Sequence, residues 1–377
     1  MDFNYVVIPA PIVLTGGLAG WPSVRQILSL SRKGYSMWRN ATEHITLSGI
    51  ALTALAVAAG SGFNAIALHA NKLPGRIYSV NGHKMRIDCT GHGSPTILLE
   101  AGAGNDGLVW GVVQPILAKT TRVCSYDRAG YGGSQALPPP RDADHIADEL
   151  HGLLMAAEVD GPIVLMGHSR GGIYIRDYAT RYPEAIAGLI FVDSATPLQH
   201  RNPAFKAADA QRPQGRTGVF LNKAMFALGI PRLLGACSAG SSGFDSPDTH
   251  AAAKLFADDR CHQPFATIAG EDENLDRSGE ETLHTGPYGA LPILIFSHDV
   301  ATDAAHGRPA DLLAAFSQMQ EDLKKLSTRS RRIIAQSSGH YIQLDRFDLI
   351  EKEVPLFIEQ VRGTAPEPRD YGSTTTE

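Results

Sequence analysis

One serine stands where chemistry is possible. Gly167-His168-Ser169-Arg170-Gly171-Gly172 fits G-x-S-x-G and follows the apolar run PIVLM, Pro162–Met166. A sharp strand-to-helix turn lifts such a serine hydroxyl out of a sheet. The turn is crowded, so the residues two before and two after must be small, and Gly167 and Gly171 meet that need. The helix after the turn aims its N-terminal amides at the site, where they favour developing negative charge. The chemistry implied is nucleophilic attack on a carbonyl carbon.

A serine hydroxyl is a weak nucleophile and needs a base. Where this turn serves catalysis, the partners come after it along the chain in the order Ser, Asp or Glu, His. His340 is the last histidine and lies in Ser338-Gly339-His340-Tyr341, just after the strand-like run Arg332–Ala335. The acid should sit at the end of an earlier strand. Asp299, after PILIF, is the first choice; Asp193, at the end of AGLIFV, is the rival, and Asp303 is the third. His298, beside Asp299, reads as a loop residue. Glu100-Ala101-Gly102-Ala103-Gly104-Asn105 comes after the apolar run TILLE, and its small residues let backbone approach a substrate oxygen. The expected oxyanion donors are the backbone N–H groups of Ala103 and Arg170.

These residues need a scaffold, and the hydrophobic pattern supplies one. Arg76–Val80 and Lys84–Asp88 flank Asn81-Gly82, a tight-hairpin dipeptide. Thr96–Glu100, Thr121–Tyr126, Pro162–Met166, Ala187–Val192, Pro292–Phe296 and Arg332–Ala335 read as strands. Between them, Ile146, Leu150, Leu153, Leu154 and Ala157 mark one helical face, and Ala310–Leu326 and Phe347–Val361 read as helices. Strands that alternate with helices predict an α/β fold, a mostly parallel sheet covered on both faces. The alternation fails at about Thr196–Ala290, where short helical patterns such as Asn222–Leu228 and His250–Ala257 suggest an inserted cap over the active edge.

The chain resembles the α/β-hydrolase superfamily, in its branch of bacterial membrane-anchored or exported hydrolases. The matching pieces are LLEAGAGND, SYDRAGYGGS (Ser125–Ser134), GHSRGG (Gly167–Gly172), FVDSATP, ILIFSHD and SGHYIQLDR, spread over about Gly75–Val361. The resemblance implies Ser169, Asp299 and His340 as the triad and a structural role for Asp127 and Arg128. It says little about substrate; the full triad in chain order with an oxyanion loop makes a cofactor-free hydrolase of a carboxylic ester, acting on a small molecule, the leading expectation. Amide or peptide cleavage, carbon–carbon bond hydrolysis and ligand capture by a receptor are the alternatives on the same framework. Ser169 opposes the dehalogenase and epoxide-hydrolase chemistries of this fold, which use an aspartate nucleophile. Arg170 and Phe347 depart from the common pattern, and the cap carries no specificity motif.

The rest of the chain bounds the setting. Of 377 residues, 43% are hydrophobic and 19% charged, with a formal charge of −5 and no dense basic block, so nucleic acid is not an expected partner. Ile45–Leu68 contains no charge over 24 positions, long enough to cross a bilayer, and Arg32, Lys33 and Arg39 precede it. Residues 1–70 are therefore expected to anchor or export the domain, with residues 75–362 outside the cytoplasm. A buried helix packed on the domain is the alternative. The four cysteines form no C-x-x-C pair, so no metal site is expected. Cys89 and Cys124 read as buried apolar side chains, and Cys237 and Cys261 either as a disulfide pair, if the domain lies outside the cytoplasm, or as two free thiols. Residues 363–377 read as a flexible tail.

Overall fold

The computed structural model describes residues 47–56, 58–60, 62, 73–210, 224–226, 228, 230, 265–305, 307–363 and 374–376. The chain divides into two units, Met1–Ala59 and Gly60–Glu377. In the first, residues 47–56 are helical, with Leu47, Ile50, Leu52 and Leu55 exposed. Among the described residues no helix is long and apolar enough to cross a membrane.

The second unit is built on a nine-stranded sheet in the order β1-β2-β4-β3-β5-β6-β7-β8-β9. The strands are β1 (Arg76–Val80), β2 (His83–Thr90), β3 (Thr96–Glu100), β4 (Val123–Tyr126), β5 (Ile163–His168), β6 (Ile186–Val192), β7 (Ile293–His298), β8 (Ser330–Ala335) and β9 (Thr374–Thr376). Asn81 and Gly82 both have positive φ, 51° and 83°, as a type I′ hairpin turn requires. β1 pairs with β2 and β2 with β4 antiparallel, and every later pairing is parallel. β3, β4, β5 and β7 are buried along their whole length, because helices cover both faces.

Two cores flank the sheet. On one face Val113 and Leu117 of helix Val113–Leu117 pack with Val354, Phe357 and Ile358 of helix Phe347–Val361 against Ile97, Leu99 and Met166. On the other, Leu150, Leu153 and Leu154 of helix Ala143–Ala156 pack with Ile175 and Tyr178 of helix Gly171–Arg181 against Leu98, Leu165 and Phe191. The helical face expected at Ile146–Ala157 is thus buried. Burying one such side chain stabilises by about 1.5–3 kcal/mol. The helix expected over Ala310–Leu326 is α-helical to Asp322 and then tightens into a 3-10 turn, Leu323–Leu326.

Two expectations need correction. Cys89 and Cys124 are not free apolar side chains: they form a disulfide, with Cα atoms 4.0 Å apart. The antiparallel register of β2 on β4 sets them directly opposite each other, a contact invisible in either strand alone. Cys237, Cys261 and His250–Ala257 lie outside the described residues. The tail also contributes structure, because Thr374–Thr376 add to β8 as a parallel edge strand. An open sheet edge offers unpaired N–H and C=O groups to any nearby extended chain.

Candidate active site

Ser169 sits between the end of β5 and helix Gly171–Arg181, with φ of 53°, the strained left-handed region. The elbow is fastened by its own backbone: the Ser169 amide donates to Val192 O at 3.1 Å, and its carbonyl accepts from Gly172 and Ala195. The glycines are demanded by space. A Cβ on Gly167 would lie 2.8 Å from the Gly171 carbonyl, and one on Gly171 would lie 2.7 Å from Glu100 O. Gly172 is pressed in the same way against Ser194.

His340 lies in the loop after β8, and its ring faces His168 with centroids 4.7 Å apart. Its side chain remains 46% exposed, so it is open to reactants. Its Nδ1 donates to Asp193 Oδ2 at 2.6 Å. The acid expected at Asp299 is therefore not the one brought to the base. The carboxylate of Asp299 instead accepts from the Ala301 amide at 3.0 Å, capping its own helix, and from the Ser337 amide at 3.3 Å. Asp193 leaves β6 with φ of 48° and is fully buried, its turn aiming the side chain along the sheet edge toward β8. Burial alone would push its carboxyl up, but hydrogen bonds from His298 and then His340 outweigh it and hold it well below the usual carboxylate range. Asp303, the third choice, faces His298 at 3.5 Å instead.

The loop after β3 lies over Ser169. A Cβ on Gly102 would come 2.9 Å from Ser169 Cβ and 2.9 Å from His168 Nδ1, so only glycine allows this approach. Arg170 is the N-cap of helix Gly171–Arg181, and its amide belongs to the helix start, where N–H groups have no intrahelical acceptor. Of the two expected oxyanion positions, Arg170 is next to Ser169 in the chain, and Ala103 comes one residue after Gly102, the glycine that lies against Ser169.

Several supporting residues carry no local sequence signal. Arg128 is buried and donates to the carbonyls of Ala101 and Gly102 at 2.7 and 2.9 Å, holding that loop in place. Glu100 pairs with it at 2.7 Å, and Glu271, from the inserted segment, at 2.8 Å. Tyr131 also donates to Glu271. The Arg170 side chain reaches the same segment and pairs with Asp272 at 2.5 Å. Asn105 donates to Ala103 O and to the Tyr341 hydroxyl, joining the loop to the residue beside the base. His168 is buried, and burial, then the neighbouring His340, pushes its imidazole down to about 3. It is neutral at ordinary pH, so its Nε2–H donates to His340 O at 2.9 Å. Asp127 ties Arg86, Gly107 and Gly133 together, a structural role of the kind the resemblance implies. Among the described residues no group of three or more His, Cys, Asp or Glu is arranged to hold a metal ion.

A strand-to-helix serine, a histidine loop after β8 and a buried carboxylate after β6, all at the carboxyl edge of one mostly parallel sheet, fit the α/β-hydrolase class. Residues 92–352 match the alpha/beta hydrolase family, and the chain belongs to it. An AB hydrolase superfamily protein of Gibberella zeae is 26% identical over 298 residues, covering 71% of this chain and 87% of that protein. Among solved structures, a membrane phospholipase A aligns with a TM-score of 0.58 at 20% identity, covering 87% of this chain and 99% of that one. A thermophilic esterase from Thermogutta terrifontis aligns with a TM-score of 0.52 at 19% identity, covering 76% and 98%.

Proposed function

We propose that the protein is a cofactor-free serine hydrolase that cleaves a carboxylic ester through an acyl-enzyme, with Ser169, His340 and Asp193 as its triad. The observation that carries the reading is the 2.6 Å hydrogen bond from His340 Nδ1 to the buried Asp193. A carboxylate only accepts, so this bond keeps the proton on Nδ1 and leaves Nε2 of His340 as the basic nitrogen. Nε2 takes the Ser169 proton as the hydroxyl attacks the ester carbonyl. The carbonyl oxygen gains charge and is met by the amides of Ala103 and Arg170. His340 then gives the proton to the leaving alcohol. Water repeats the sequence on the acyl-enzyme and releases the acid. Asp193 holds the ring's orientation and stabilises the imidazolium.

The test is a fluorophosphonate probe on the full chain, wild type beside Ser169→Ala, with a 4-nitrophenyl ester series. Labelling and turnover are expected in the wild type and absent in a folded S169A protein. A variant that keeps most of its turnover would overturn the reading.

The same reading extends to setting. The cystine between β2 and β4 suits an oxidising compartment, and the basic residues before Ile45–Leu68 suit export of the residues C-terminal to that segment. The domain is proposed to act outside the cytoplasm, held at or passed through the membrane by Ile45–Leu68. Fractionation with and without residues 1–70 checks this: the full chain should enter the membrane or exported fraction, and the shortened one should not.

A further inference from the structure

His298 has the sequence setting of an ordinary loop residue, yet it lies against the acid of the proposed triad. Its Nδ1 is 2.9 Å from both oxygens of Asp193, and its backbone N–H donates to Oδ1 at 2.8 Å. Asp193 therefore serves two histidines, because Oδ2 also accepts from His340. Since a carboxylate only accepts, His298 Nδ1 carries a proton. The other ring nitrogen, Nε2, is buried without a hydrogen-bond acceptor, and it faces Asp303 Oδ2 at 3.5 Å. A bare Nε2 would turn its lone pair toward a carboxylate. A protonated Nε2 meets a charge of opposite sign.

The surroundings agree. Phe316, from helix Ala310–Asp322, covers one face of the ring with centroids 4.7 Å apart. Asp299 is the next residue in the chain. Arg308 reaches only the far carboxylate, at 3.9 Å from Asp303. Arg332, on β8, is turned to Ser297 and Glu321. Three acids thus face His298, with the two arginines held away from it. Burial alone favours the neutral ring, but the hydrogen bond and charge of Asp193, then Asp303 and Asp299, outweigh it and hold the imidazole above the ordinary histidine range.

We infer that His298 is the proton-holding partner of the triad acid: as an imidazolium gripped between Asp193 and Asp303, it shares the carboxylate with His340 and weakens the pull of Asp193 on a positive charge at His340. This rests on the proposed role of His340. A lone Asp193 would stabilise the His340 imidazolium with its full charge. The cation on its other side cancels part of that pull. At an effective dielectric of about 20, a unit charge within about 10 Å moves an acid–base equilibrium by more than about one pH unit.

Two measurements test it on the full chain. Long-range proton–nitrogen NMR of the imidazoles in Ser169→Ala reads protonation directly, with His298→Asn used to assign the signal. Both ring nitrogens of His298 are expected to carry protons at pH 7, and a bare Nε2 there overturns the inference. The second is the pH profile of kcat/KM in wild type and His298→Asn, which keeps a neutral donor at the Nδ1 position. The acid limb is expected to rise by at least about one pH unit. An unmoved limb with a uniform loss of rate would mean that His298 only shapes Asp193, and the inference falls. If H298N does not fold, His298→Gln takes its place in both the assignment and the pH profile. Turnover retained in S169A defeats the hydrolase reading instead, a result separate from the protonation state of His298.

Discussion

Asp193 and Asp299 stand at the ends of neighbouring parallel strands, and their hydrogen bonds separate their roles. Asp193 holds two histidines from a buried position, whereas Asp299 caps the helix Val300–Ala305 and steadies Ser337. Asp193→Asn is expected to lower kcat by about 10⁴-fold, because an amide can donate where only an acceptor keeps His340 in the right tautomer. Asp299→Asn should cost less than about 10-fold, since a helix cap is worth only about 1 kcal/mol. Steady-state ester turnover of the two variants ranks them, and the reverse order would move the acid to β7.

At the scale of elements, the inserted segment is fastened by charge to the loop after β3. Glu271 of helix Phe265–Glu273 pairs with Arg128, which in turn holds the carbonyls of Ala101 and Gly102. Glu271→Gln leaves a buried guanidinium short of a partner. It should destabilise by about 3–5 kcal/mol in urea unfolding and lower kcat in the surviving folded enzyme. A second element-level strain is Asp177, buried on helix Gly171–Arg181 with one carboxylate oxygen lacking a hydrogen bond. Burial first, then the nearby charge of Asp144, pushes its carboxyl up to about 7. A raised carboxyl means the folded state keeps a proton that the unfolded chain has lost. This group therefore costs stability progressively as pH rises from about 4 through 7. Asp177→Asn should raise Tm by about 2–4 °C at pH 8 and give no gain at pH 4, by scanning calorimetry.

Across the whole molecule, the cystine joins the antiparallel edge to the parallel body of the sheet. Cys89 and Cys124 are 35 residues apart, so their bond closes a loop in the unfolded chain worth about 3–4 kcal/mol by chain entropy. Replacing both by alanine should lower stability to denaturant by that amount while the ester rate of the folded protein holds. Equilibrium unfolding of oxidised wild type against the double variant checks it.

The strands, the hairpin at Asn81-Gly82, the elbow at Ser169 and the loop that carries His340 after β8 were legible because each is a local pattern. Side-chain period marks a strand or helix, a turn needs small or left-handed residues at fixed offsets, and a strand end leading into Gly-His marks a loop. What the chain could not declare were the contacts between strands. Asp193 and Asp299 occupy equivalent local settings, and only the turn at residue 193 and the packing of β6 beside β7 and β8 put one carboxylate on His340. The same holds for His298 against Asp193, Glu271 against Arg128 and Cys89 against Cys124, residues 35 to 143 positions apart. Local sequence fixes the conformation of a segment through sterics and periodicity. Which buried charge meets which partner is decided by register and packing, because burial makes an unpaired charge too costly to leave and only the assembled sheet supplies the partner.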